Sequence, residues 1–262
     1  MPEFDVASAR LAVLRTLFRA VHSYTATSSL SVLAVAPPNV LLPLFMDRQE
    51  SSGVRKMMAS ANFNDDTISR IGQRSATESV NVTQNAVAAA CLVFAHSLAD
   101  GAVADFCMVA ADFDRTYWLQ FVETQTLTIR QVVKEEPDVL LRFVIRKKIR
   151  EMSLPKKMKY LVANAGAHAK VDYHAFIYDR QRLAELDQVR HRVIHGEGVA
   201  LNIETKDSQD FFYNVIVYAG LVTSSMLGLG ISYPGFYVEW IKDLIEGEKI
   251  GKPQNPQARV PP

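Results

Sequence analysis

Three features of the sequence predict an all-α protein. Apolar residues recur every three to four positions along most of the chain, the period of a helix with one buried face. Proline and glycine stand at the ends of these stretches, with Pro137, Pro155 and Gly196 the clearest cases. Only residues 199–203 carry a pattern that would suit a short strand.

In order, residues 6–24 place Leu11, Leu14, Leu17, Phe18 and Val21 on one face, predicting a first helix. Residues 25–46 are rich in Ser and Thr and contain Pro37, Pro38 and Pro43, which predicts a loop or broken element. Short helices are expected at 54–58 and after Asp65 and Asp66. Residues 83–111 read as a long, buried, Ala-rich helix, and 115–135 as a second. Pro137 suits the first turn of a helix running to Glu151, and Ser153 caps another that begins at Leu154 and Pro155. Residues 180–195 form a helix closed by Gly196, and 209–227 form the next. Between them a loop is expected. A short amphipathic piece at 236–245 and a mobile tail complete the chain. The organisation expected is an N-terminal extension or subdomain over 1–80, a helical body over 81–246 and a tail over 247–262.

Composition narrows the function. The chain has 29 Lys and Arg against 28 Asp and Glu, a net charge of +1 that rules out a nucleic-acid coat or an acidic tail. Its 262 residues can bury a core without disulfide or metal staples. Cys91 and Cys107 lie too far apart on one helix to bond, so both are expected reduced, and no CxxC offers a zinc site. Glu3 and Asp5 precede any apolar run, unlike a secretory leader, so a cytoplasmic setting is expected. Residues 211–238 carry no charge and are long enough to span a bilayer. Asn214, Thr223, Ser224, Ser225 and Ser232 dilute them, which favours a buried core helix and no membrane partner.

The chemistry concentrates in DQVRHRVIHGEG, residues 187–198. Arg190, His191, Arg192 and His195 occupy the end of a helix whose buried stripe is Leu183, Leu186, Val189 and Val193. Arg190 borders the core face and is long enough to meet His195 around the last turn. Histidine titrates near neutrality and serves as acid or base. A guanidinium offers forked donors to a phosphate. The basic segment 142–159 includes Lys147, Lys148, Lys156 and Lys157 and could follow a phosphate backbone; the plainer alternative is a solvated face. His191 and His195 also have metal-ligand spacing, with His168, His174, Asp187 or Glu197 as further ligands, but no metal site is expected. The glycines at 228–230 are not a phosphate loop, since no strand precedes them. The plainest reading of the helix end is structural, with His195 capping its last carbonyls.

The motif Arg190, His191, three residues and His195, followed by glycine, resembles the signature of the HEPN-domain superfamily. Its context, an earlier helix AHSLADGAVADF with Asp100 and Asp105 and an intervening basic SLPKKMKYLV, is similar too. The resemblance covers about residues 83–228. It implies an antiparallel HEPN-type bundle acting as a homodimer, and a metal-independent endoribonuclease of the toxin, stress or phage-defence kind, with no cofactor. Carried over, Arg190 and His195 would be the active pair, His191 the polar helper and Asp100, or Asp105 in its place, the acid that orients them. Arg192 and the lysines would hold RNA. The implied partners are RNA, a second copy and, in toxin systems, an antitoxin or regulatory protein. The same helix end suits a second class of function, a non-catalytic module that binds RNA, a nucleotide or a protein.

Overall fold

The computed structural model describes residues 4–50, 53–122, 136–169, 179–196 and 205–231. Helices are the only regular elements among them, so the protein is all-α. In chain order they are α1 (Val6–Val35), α2 (Pro38–Glu50), α3 (Gly53–Ser60), α4 (Asp65–Phe113), α5 (Arg115–Leu119), α6 (Pro137–Glu151), α7 (Leu154–His168), α8 (Arg180–Ile194) and α9 (Thr205–Met226).

Residues 25–46, expected as a loop or broken element, depart from that expectation in being helical on both sides of a break at Ala36 and Pro37. Hydroxyl groups explain part of it. Thr25 Oγ1 donates to the Val21 carbonyl at 2.9 Å, Thr27 Oγ1 to that of Ser23 at 2.7 Å, and Ser28 and Ser29 donate to that of Thr25. These hydroxyls are satisfied inside the helix they were expected to disrupt, on carbonyls of the preceding turn, and so do not compete for its amides. Pro37 and Pro38 then stop α1, and Pro38 opens α2 in the first-turn position that tolerates a missing N–H.

Asn64 caps α4, its side chain accepting from the Thr67 amide at 2.8 Å, and Asp65 and Asp66 complement the positive helix start. α4 continues unbroken through the expected boundary near residue 80. It is also the one described helix long and apolar enough, by length and composition, to cross a membrane. Within the uncharged stretch at 211–238, α9 buries Phe212, Val215, Ile216, Val217, Leu221 and Val222 and ends before Gly228 and Gly230, both at positive φ. α6 and α7 begin where the prolines place them. α9 starts at Thr205, so the expected loop is shorter than its sequence suggested. The remainder of the second helix expected at 115–135, the strand at 199–203, the piece at 236–245 and the tail lie largely or wholly outside the described residues.

By compactness the chain divides into two units, and three of the four divisions fall inside α1, α4 and α9. The first unit comprises Met1–Ala20, Asp100–Ile177 and Ile216–Pro262. Its core includes Val13, Leu14 and Leu17 of α1, Phe106 and Cys107 of α4, Trp118, Ile149, Met158 and Leu161, all at most 1% exposed. α9 approaches α1 closely there, since a Cβ on Gly220 would sit 2.7 Å from a Leu17 methyl. The second unit comprises Val21–Ala99 and Tyr178–Val215. In it Tyr24 hydrogen-bonds Asp210 and stacks on Tyr213 at 4.7 Å, while Gln209 donates to the Thr27 carbonyl. Burial, with the Asp210 carboxylate alongside, raises the Tyr24 phenol to about 12.

Candidate functional site

α8 carries the motif. Asp179 opens it by accepting from the Gln181 and Arg182 amides at 2.8 and 3.1 Å. Leu183 and Leu186 bury its apolar stripe. Gly196 follows at φ +71°, the left-handed conformation expected of a glycine just past a helix. His195 is the last capping residue, and its amide bonds the His191 carbonyl.

This geometry brings the two histidines together. The His191 and His195 rings lie 4.3 Å apart between centroids, tilted by 58°. Both are exposed, as is Arg192, while Arg190 is half-buried. The Nε of Arg190 is buried with no hydrogen-bond partner among the described residues.

The carboxylate in this neighbourhood is Asp187. Its Oδ1 lies 2.7 Å from Nε2 of His96, a 3% exposed side chain on α4. The ring nitrogen facing the carboxylate carries the proton that makes this bond. Phe212 packs edge-to-face on the His96 ring at 5.4 Å. The hydrogen bond from His96 holds the Asp187 carboxyl below its usual range. Partial burial opposes this, and the charges of His96, Arg190 and His191 assist it. The other ring nitrogen of His96, Nδ1, is buried without a partner among the described residues.

Asp100 does something else. Its carboxylate accepts from Lys157 Nζ at 2.7 Å, and Lys157 is 1% exposed. Two expectations are corrected together. Asp100 pairs with a buried ammonium, where it had been assigned to orient Arg190 or His195. Lys157 is withdrawn from solvent and cannot hold RNA from this position. The reason lies in α7, where Leu154, Lys157, Met158, Leu161 and Ala165 share the buried stripe. A buried lysine requires a carboxylate partner, and Asp100 supplies it. Lys147 and Lys156 are exposed; Lys147 faces Glu151 at 4.0 Å, and Lys148 is half-buried. Asp105 is exposed, with Arg19, Arg146 and Arg150 within electrostatic reach.

Sequence reasoning missed His96. Its signal was present, because it lies four residues after Leu92 in a stripe that continues through Ala99 and Val103. A histidine in such a stripe needs a polar partner, and the partner is 91 residues away. Cys91 and Cys107 are free and buried, and burial pushes both thiols up, against a role as nucleophiles. Among the described residues no three of His, Cys, Asp and Glu cluster as metal ligands would. His174 and Glu197 lie outside the described residues.

The helix end thus offers two adjacent exposed imidazoles, a half-buried guanidinium and a carboxylate fixed by a buried histidine. Such a set can exchange protons and receive an anion. In comparisons with protein-family models, curated proteins and solved structures, the chain has no match.

Proposed function

We propose that the end of α8 is the active site of an endoribonuclease that needs no metal. The observation that carries this reading is the paired, exposed His191 and His195, one turn apart on the helix that also carries Arg190. Two close imidazoles can serve as one proton acceptor and one proton donor. Those are the roles required of a base and an acid acting in one step. The mechanism gives the donor role to His195, the residue at the very end of α8. His191 is then the base and His195 the acid.

In this mechanism His191 removes the proton of a ribose 2′-hydroxyl, and the oxygen attacks the adjacent phosphorus. The bond to the 5′-oxygen breaks, and His195 gives its proton to that oxygen. The products are a 2′,3′-cyclic phosphate and a 5′-hydroxyl end. The Arg190 guanidinium stabilises the extra negative charge on phosphorus. A helix C-terminus repels an anion by about 0.3–1 kcal/mol, and Arg190 and Arg192 offset this. Asp187 replaces Asp100 as the positioning carboxylate, held by His96. A homodimer of HEPN-type bundles, in which a second copy supplies a further arginine, agrees with this reading. It is supported by an apolar groove between Phe94 and Ile194, both about half exposed, whose residue Ile194 immediately precedes His195. A cytoplasmic setting, where RNA is available, belongs to the same reading.

The test is cleavage of total RNA by purified protein in EDTA, comparing wild type with Arg190→Ala and His195→Ala. Each variant is expected to lose about 10²–10⁴-fold in rate while remaining folded. Activity that survives both substitutions would assign cleavage elsewhere. Binding of RNA without cleavage by any form would turn the reading to a non-catalytic RNA-binding module.

A further inference from the structure

The first unit contains a cavity of about 600 Å³ that the motif does not use. This size lies in the range of about 300–1,000 Å³ typical of small-molecule sites. Its polar wall holds four arginines, Arg15 and Arg19 of α1, Arg115 of α5 and Arg142 of α6. Three carboxylates share the lining, Asp5, Asp105 and Asp112.

These charges are unevenly matched. Asp5 is committed to α1, accepting from the Ser8 amide and hydroxyl at 3.1 and 2.5 Å. Arg142 is committed to Asp112 at 2.6 Å, and Arg115 to Asp138 at 3.2 Å. Arg15 and Arg19, one turn apart, have no hydrogen-bonded or ion-paired carboxylate among the described residues. The one carboxylate left in the cavity, Asp105, is in electrostatic reach of Arg19 and also of Arg146 and Arg150 of α6. Arg142, Arg146 and Arg150 repeat every four residues, so α6 tolerates a row of like charges that by itself destabilises a helix. An anion entering the cavity would meet Arg15 and Arg19 without displacing an ion pair, and a phosphate matches the guanidinium fork best.

We propose that this cavity binds a phosphate-bearing small molecule, with Arg15 and Arg19 as its principal phosphate donors. The site is made from residues of one compact unit, whereas the proposed cleavage motif lies on residues of the other, so it constitutes a separate function. The apolar part of the lining, Phe4, Met108 and Val109, gives the non-phosphate portion of the ligand a surface to lie on.

Calorimetric titration of the full chain with inorganic phosphate, pyrophosphate, adenosine 5′-monophosphate and adenosine tests the proposal. At low salt, pyrophosphate or the nucleotide is expected to bind with a Kd below about 100 μM, and adenosine not at all. Tighter binding of the nucleotide than of pyrophosphate identifies a phosphate ester as the ligand class; the reverse identifies an inorganic phosphate. Arg15→Gln with Arg19→Gln should weaken binding at least tenfold, on the order of one lost charge-assisted contact or more. Both side chains are exposed, so helical circular dichroism should be unchanged. In the Arg190→Ala background the same double substitution should cause the same loss, which assigns the binding to this cavity. The proposal is overturned if neither pyrophosphate nor the nucleotide binds below about 1 mM, or if binding survives the double substitution. A single-stranded RNA that loses affinity in the double variant, when the small phosphates do not bind, would overturn it in favour of a nucleic-acid track.

Discussion

Each unit holds a carboxylate against a histidine, and the two arrangements differ in what they leave over. In the first unit Asp114 accepts from the Tyr117 amide at 3.1 Å, from Asn164 Nδ2 at 2.9 Å and from His168 Nε2 at 2.7 Å. Asn164, fully buried, uses its own oxygen to accept from Trp118 Nε1. Donors and acceptors are matched throughout, and the network ties the start of α5 to α7. In the second unit Asp187 meets His96, after which matching stops. His96 Nδ1, Arg190 Nε, Ser208 Oγ and Gln209 Oε1 are the buried side-chain atoms without partners among the described residues, and all four belong to this unit. A satisfied buried network specifies structure, whereas around Asp187 the polar capacity of His96 Nδ1 and Arg190 Nε is left over.

The largest expected effect separates activity from stability. His195→Ala should remove about 10²–10⁴-fold of cleavage, with the thermal midpoint nearly unchanged because the side chain is exposed. Asn164→Leu should do the opposite. It orphans Trp118 Nε1 and withdraws a donor from Asp114, so a loss of about 2–4 kcal/mol is expected in urea unfolding. Cleavage by the remaining folded molecules should persist. If Asn164→Leu abolished cleavage at unchanged stability, the distinction between a structural and a chemical network would fail.

The buried Lys157–Asp100 pair gives the next effect. Asp100→Asn leaves a buried ammonium facing a neutral amide. Asp100 keeps part of its surface in water, so the loss is expected at about 2–3 kcal/mol, below the range for a fully buried pair. The double variant Asp100→Asn, Lys157→Met should recover much of it, because no unpaired charge remains. RNA cleavage in the double variant should match wild type. A specific loss of cleavage in that folded variant would restore Asp100 to the site.

How far the sequence disclosed this molecule depended on whether the signal was local. The start of α7 and the end of α8 were legible because proline and glycine act through their own backbone geometry. The helical continuation through Thr25 to Ser29 was not, because a hydroxyl can bond a carbonyl of its own preceding turn and leave the helix intact, or bond an amide and end it. Lys157 was misassigned although it stands on the apolar stripe of α7; its charge outweighed its position. The helix end with Arg190, His191 and His195 was legible as a cluster. Its anchor was not, since His96 and Asp187 are brought together only by the tertiary fold.

The smallest effect concerns acid, and it sharpens the comparison between the two carboxylates. Both are held below the usual carboxylate range. For Asp187 the His96 hydrogen bond is the main cause, with the charges of His96, Arg190 and His191 adding to it against partial burial. For Asp114 burial alone would raise the pKa, and the bonds from His168, the Tyr117 amide and Asn164 outweigh it. A depressed folded value means that the stabilisation is complete above the unfolded value, near pH 4, and is lost as pH falls through the folded one. Asp187→Asn and Asp114→Asn should therefore be destabilising at pH 6, with each difference from wild type shrinking by pH 3. The Asp187 change keeps the acceptor for its single hydrogen-bond donor and loses only charge, so about 1 kcal/mol or less is expected at pH 6. The Asp114 change also turns one acceptor into a donor facing donors already in place, so its loss should be larger at both pH values. Urea midpoints at the two pH values measure this. An Asp187→Asn loss as large as that of Asp114→Asn would mean that the second unit depends on its histidine lock as heavily as the first does on its network.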